Sequence, residues 1–461
     1  MIDESEAFTL FLGNSDVDGV KSKLRATGRT YKKKMLESGT DNWLQIIDIL
    51  KDRNLTAVVV KLTTHTISHI CSDDFYNLSE EIFHLVSRKP HIVLLHETVL
   101  QKGSSKEAED EKLSIDYESM RDMDDYYSYY TDPDEYFGKI NDSDRKMFID
   151  LLEDKNISIF PYKTNAEMSV LATNFVDENE RNLIFRLYVP SGRIWSNEAD
   201  KLLDLFRDYL TRVSGLRVRQ DQYSTGQGVA YEFYGDHALD PSTLPVEFDA
   251  FSRFLDACAV NPDDASKMLL DKHLSDRAVQ DIVTRYTKEA RRLQVDIKQE
   301  RERRVLSIRH RMASELIEID GIESVGQINS IIDAAVPQVV GFSSTLHGGI
   351  HLPDKTANNI TLNINPKIIS SVNGIVNQEM LGAQNFGAQF EDLLSLIDKF
   401  GGINKNDLAS AVYEMNDLDA KREDRLSASQ KLKGFLFKLS GKISDVSFGV
   451  LQSYIESKLG L

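Results

Sequence analysis

Cysteine is nearly absent: Cys71 and Cys258 are the only two in 461 residues. Two thiols cannot build a disulfide framework or, unaided, a zinc site, and this usage fits a reducing cytoplasm. Long apolar runs are missing as well. No stretch approaches the roughly 20 apolar residues that a membrane-spanning helix needs. The first residues, MIDESEAF, are acidic and lack the basic-then-apolar order of a secretory leader. Positive charge is in deficit, with 55 Lys and Arg against 73 Asp and Glu and a net charge of −18. That balance argues against wholesale nucleic-acid binding and leaves only a local basic face for phosphates. Phosphate loops are lacking. LFLGNSDVDGVKSK has glycines between a strand and a helix, but neither the G-x-x-x-x-G-K nor the G-x-G-x-x-G pattern. No G-x-S-x-G elbow occurs, so ATP hydrolysis and serine hydrolysis are poor candidates.

What remains is organisation. The length predicts two to four domains. Residues 1–180 read as α/β. AFTLFLG is a strand, VKSKLRATGRTYKKKMLESG and NWLQIIDILKDRN are helical, and LTAVVVKL is a buried strand. LSEEIFHLVSR is a helix, HIVLLHE a further strand, and ISIFPY a fourth. This alternation predicts a mostly parallel sheet with helices on both faces. An acidic insertion at 101–142 carries Tyr126, Tyr127, Tyr129 and Tyr130. It reads either as a solvated loop or as an arm whose aromatics bury on a partner. Residues 181–240 have β-α-β-β order, as an extension of the first sheet or a small second domain. Residues 241–320 are helical, with one long helix over 275–319. Its stripe runs Ile282, Tyr286, Ala290, Leu293, Ile297, Val305, Ile308, Met312, Leu316 and Ile319. A helix of that length links domains or pairs with a second copy. A Gly/Asn-rich linker with a short strand follows at 321–375, then a helical tail module at 376–461.

Candidate chemistry clusters at strand ends, where open parallel sheets bind ligands. His65 and His69 follow the strand LTAVVVKL; His96 and Glu97 end HIVLLHE. Imidazoles and a carboxylate meeting there could exchange protons or ligate a metal, although Thr66 stands where a zincin would need glutamate. The bland alternative is ordinary loop polarity, so no metal site or cofactor is assigned. The order of strand, serine-containing loop and helix with Glu80 and Glu81 in SDDFYNLSEEIF resembles Toll/interleukin-receptor domains. That resemblance implies a role for Glu80 or Glu81 in cleaving NAD, but the family's usual loop after the first strand is missing.

The long helix carries Lys298, Arg301, Arg303, Arg304, Arg309 and Arg311. Glu300 and Glu302 lie among them, which predicts a solvated or docking face rather than a nucleic-acid site. On one helical wheel through 431–461, Leu432, Leu436, Leu439, Ile443, Val446 and Val450 share a side, flanked by Lys431, Lys438 and Lys442. This pattern suits an interfacial helix on an anionic membrane or a packing face between copies. The strand NNITLNIN, the connection GAQNFGAQ, an acidic helical pair and the lysine–phenylalanine tail resemble the C-terminal modules of abortive-infection proteins of the AbiTii type. That resemblance implies a bacterial cytoplasmic protein of phage defence. It would assemble through its C-terminal part, with itself, a second defence protein or a phage component, or attach peripherally to the inner membrane. The expectation is a sensor or effector interaction protein; the alternative is a nucleotide-acting enzyme with the C-terminal half as its oligomerisation platform.

Overall fold

The computed structural model describes residues 7–13, 24, 30–100, 140–235, 243–272, 274–316, 332, 336, 342 and 387–459. Tyr126, Tyr127, Tyr129 and Tyr130, and the strand expected near Ile360, lie outside these. The chain forms two compact units, one of residues 1–181 with 421–461, the other of 182–420.

The first unit opens with β1 (Phe8–Gly13), β2 (Thr30–Lys34), α1 (Thr40–Leu50), β3 (Leu55–Leu62), α2 (Thr64–Ile70), α3 (Tyr76–Ser87), β4 (His91–His96), α4 (Asp142–Asp154), β5 (Ile159–Tyr162) and α5 (Asn165–Glu180). The five strands are parallel in the order β2-β1-β3-β4-β5. Alternate strand residues feed two cores, as the period of two requires. Leu10, Val58, Val60, Val93 and Leu95 pack against α1 to α4; Phe11, Val59, Ile92 and Leu94 pack against α5. One sequence expectation fails here. TYKKK, helical by its sequence, is instead β2, an edge strand. Its lysines suit it, since a charged, solvated edge resists pairing with other chains.

The second unit contains β6 (Leu183–Pro190), α6 (Ser196–Arg212), β7 (Val218–Ser224), β8 (Gly228–Gly235), α7 (Thr243–Val260), α8 (Pro262–Met268), α9 (Asp276–Leu316), α10 (Ala388–Phe400) and α11 (Lys405–Asn416). Its strands make a separate antiparallel sheet, β6-β8-β7. The α9 helix has 41 residues, about 60 Å at 1.5 Å each. Its stripe from Ile282 to Met312 is buried in the single chain. Tyr286 stacks edge-on to Phe254 and bonds Asp208 at 2.9 Å, and α9 packs on α6, α7 and α8. Helices of its own unit therefore pack on the long helix, and its stripe is covered within the single chain.

Two last helices, α12 (Arg422–Lys438) and α13 (Asp445–Leu459), return to the first unit. Thus the segment expected as one tail module divides: α10 and α11 belong to the second unit. The α12 helix runs along edge strand β5. At Gly434 a Cβ would lie 2.0 Å from the Ile159 carbonyl oxygen, so only glycine permits the approach. Leu426 joins the core under α5, and Phe437 joins the core under α1 to α4. One helix thereby seals the open sheet edge and ties both layers together.

Candidate ligand site at the carboxyl ends of the sheet

The strand order sets the place. The chain winds away from β1 in one direction through β2 and in the other through β3, so the topological switch lies between β1 and β3. There Gly13 takes φ +80°, and a Cβ would stand 2.1 Å from the Lys61 carbonyl oxygen. Thr63 follows β3 directly and is buried. Its Oγ1 accepts from the Thr66 backbone N–H at 3.2 Å, closing a capping box on α2. Thr63 Oγ1 and Thr66 Oγ1 donate to Glu37 Oε1 at 3.1 and 2.6 Å. Trp43 fixes the segment carrying Glu37, since its indole N–H bonds the Leu36 carbonyl at 2.8 Å. The result is a carboxylate oriented by two hydroxyls, with the exposed His65 in the first turn of the same α2 that carries Thr66. Sequence reasoning missed Glu37; the loss of β2 to a helix assignment hid its place after a strand end.

The neighbouring strand end places His96 and Glu97. Leu62 pairs with Leu95, so His96 adjoins Thr63. His96 lies edge-on to Tyr162 at 5.3 Å between centroids. Glu97 accepts from the Lys433 ammonium of α12. The side chain of Lys433 is 3% exposed and that of Glu97 13%, with Glu456 of α13 also 3.4 Å from the ammonium. The tail thus reaches the end of the sheet at which parallel folds bind ligands. On the same helix Gln430 is fully buried, and neither amide atom has a hydrogen-bond partner among the described residues.

The expected cluster is only partly assembled. His65, His96 and Glu97 share the carboxyl end. His69 does not turn toward them: Nε2 donates to the Ser38 carbonyl at 3.2 Å, and the ring stacks 4.0 Å from Phe75 and 5.7 Å from Trp43. It is a wall of the core. Glu81 is held by Lys51 at 2.8 Å, at the helix end just before β3 begins, and so is drawn toward the opposite end of the sheet. Among the described residues no three His, Cys, Asp or Glu side chains gather closely enough to hold a metal ion. Burial pushes the Cys71 thiol up to about 12, so it is not a thiolate nucleophile at neutral pH.

The basic face of α9 is largely spoken for. Arg303 and Arg304 each reach Glu300 at 2.7 Å; Arg304 also donates to the Gly192 carbonyl at 2.8 Å and Arg301 to that of Val336 at 3.4 Å. Arg309 and Arg311 are half-buried, and Lys298 is exposed. In the tail, a single helical wheel fails because the helix stops. Leu439 caps α12, and Gly441 at φ +96° turns the chain before α13. Leu432, Leu436 and Leu439 are buried in the first unit. Lys438 donates to the Ile157 carbonyl and Lys442 pairs with Glu153 at 2.6 Å. Lys431 and Ile443 are half-buried, which leaves Val446, 77% exposed, and Val450, 49% exposed, as the open apolar residues of the set.

The fold and site define a doubly wound α/β unit that a second, mainly helical unit interrupts. No protein family, characterised protein or solved structure matches the chain. No helix among the described residues is long and apolar enough to cross a membrane.

Proposed function

We propose that the chain is a ligand-responsive interaction protein whose first unit recognises a nucleotide-class molecule at the carboxyl ends of β1, β3 and β4. One observation carries the reading: at the switch point of a doubly wound sheet, where β1 closes on β3 at Gly13, the half-buried Glu37 carboxylate is oriented by the buried hydroxyls of Thr63 and Thr66. Switch points of such sheets are where ligands seat. The tail attaches next to that surface through Lys433 and Glu97, so occupancy has a direct mechanical neighbour in α12. The setting in bacterial phage defence rests on the AbiTii-type organisation of the last hundred residues. Assembly with itself or with a second defence component is part of the same reading.

A nucleotide-acting enzyme is the second reading, favoured by the exposed His65 in the first turn of α2, the helix whose Thr66 hydroxyl orients the Glu37 carboxylate. Calorimetry on the full chain with ATP, NAD and ADP-ribose tests the first reading, with Glu37→Gln and Thr66→Val as variants. At least one ligand should bind, and each variant should weaken it about tenfold, the loss expected for one charge-assisted hydrogen bond. Binding by none of the three would sink the reading. Product formation that is lost in His65→Ala would select the enzyme.

A further inference from the structure

The second unit holds a cavity of about 290 Å³ that this reading does not use. Strand register places one wall. Ser224, Val229 and Val189 form a row across the small sheet, and Gln222 pairs with Tyr231 in the next row on the same face. The first turn of α6 and the turn that follows β6 form the other wall. Trp195 anchors the turn: it is buried at φ +61°, a conformation rare for a bulky residue, and its indole N–H donates to the Ile297 carbonyl at 3.1 Å. Tyr231 donates to Asp200 Oδ1 at 2.7 Å, which orients the carboxylate and leaves Oδ2 without a hydrogen-bond partner among the described residues.

The lining chemistry selects a ligand class. Ser191, Ser196, Asn197, Gln222 and Ser224 bring hydroxyls and amides that bond no other described side chain or backbone group. Such groups both donate and accept, as ligand hydroxyls do. The lining has no Lys or Arg, and Asp200 repels anions. Val189 and Val229 supply a narrow apolar strip that suits the C–H face of a ring. We propose that this cavity binds a small neutral polyhydroxylated molecule of the sugar or cyclitol type.

Saturation-transfer NMR on the full chain tests this, with D-glucose, D-ribose, N-acetyl-D-glucosamine and myo-inositol as probes. Ethanolamine and inorganic phosphate run alongside. At least one polyol should bind, and Asp200→Asn, which keeps the acceptor of Tyr231, should weaken it about tenfold. Gln222→Ala, at an exposed strand position, should do the same without moving the thermal transition. Silence from all four polyols at about 20 mM, well above the weak affinity expected of so small a ligand, overturns the proposal. So does binding that ignores both substitutions, or binding of ethanolamine or phosphate alone.

Discussion

Lys433→Met separates what the tail contributes from what merely lies next to it. The substitution removes an ammonium 3% exposed and leaves the Glu97 carboxylate, 13% exposed, without its buried cation. Glu456, 42% exposed, regains water at little cost. Stripping one partner from a buried pair costs about 3–5 kcal/mol; the residual access of Glu97 to water brings the expectation to about 2–4. Removing both charges, as in Lys433→Met with Glu97→Gln, should cost only about 0–1 kcal/mol, because no stranded charge remains. The double substitution should then be about 1–4 kcal/mol more stable than Lys433→Met alone. The chain has two tryptophans, and they report separately: buried Trp43 lies in the first unit and buried Trp195 in the second. In a Trp195→Phe background, fluorescence follows the first unit alone. For a unit of roughly 200 residues, 3 kcal/mol lowers Tm by about 6–12 °C. The single substitution should show that drop and the double should recover most of it. If the two single losses simply add, the ion pair does not anchor α12, and the link drawn between tail and ligand site is wrong.

Other outcomes follow from the same helix. Gly434→Ala puts a methyl 2.0 Å from the Ile159 carbonyl oxygen; it should cost at least 2 kcal/mol by overpacking, read as a lower Tm at Trp43. Gln430→Met replaces a fully buried amide that lacks partners, so the Tm should rise by a few degrees, from about 1 kcal/mol; a fall of that size would mean that the amide is bonded in solution. Burial brings the Lys438 ammonium down to about 8, against an ordinary 10.5, with Lys442 adding repulsion and Glu153 opposing. The unfolded chain binds the extra proton between those values, so the first unit should gain stability as pH rises from 8 to 10.5. After solvent screening the gain is about 1–2 kcal/mol, and Lys438→Met should flatten it in pH-dependent urea titrations.

The α/β character of the first 180 residues was legible because its central strands, such as LTAVVVKL, are continuous apolar runs bounded by polar turns. The edge strand TYKKK was not, because an edge needs no apolar pattern and its lysines equally suit a helix. The long helix was legible from its stripe, but not its cover, since periodicity says that a face is buried and never by what. His65, His96 and Glu97 were placed correctly at strand ends, since β3 and β4 pair in register. His69 was not, since its ring is drawn into a stack by Trp43 and Phe75, residues that no local spacing links to it. What covers the tail was not legible for the same reason. Leu432, Leu436 and Leu439 form a stripe that fits a membrane, a second copy or a distant part of the same chain, and only the fold distinguishes among them.

The distinction has a size. Leu432, Leu436, Phe437 and Leu439 are almost wholly buried against the first unit. Full burial of such side chains is worth about 1.5–3 kcal/mol each, an upper figure given the compactness of unfolded chains. Freeing the face of α12 would therefore surrender about 6–12 kcal/mol, and the Lys433–Glu97 pair would be broken as well. That is the size of a whole domain's stability. It would also uncover edge strand β5 and open both cores at once, because Phe437 and Leu426 belong to opposite layers. Membrane contact through the apolar face of α12 would thus require dismantling the unit that holds it, whereas α12 in place can still transmit a change at Glu97. The same geometry bears on truncation. A chain cut before α12 loses part of a fold, not an appendage, and any loss of assembly it shows would report unfolding of the first unit rather than the removal of an oligomerisation helix.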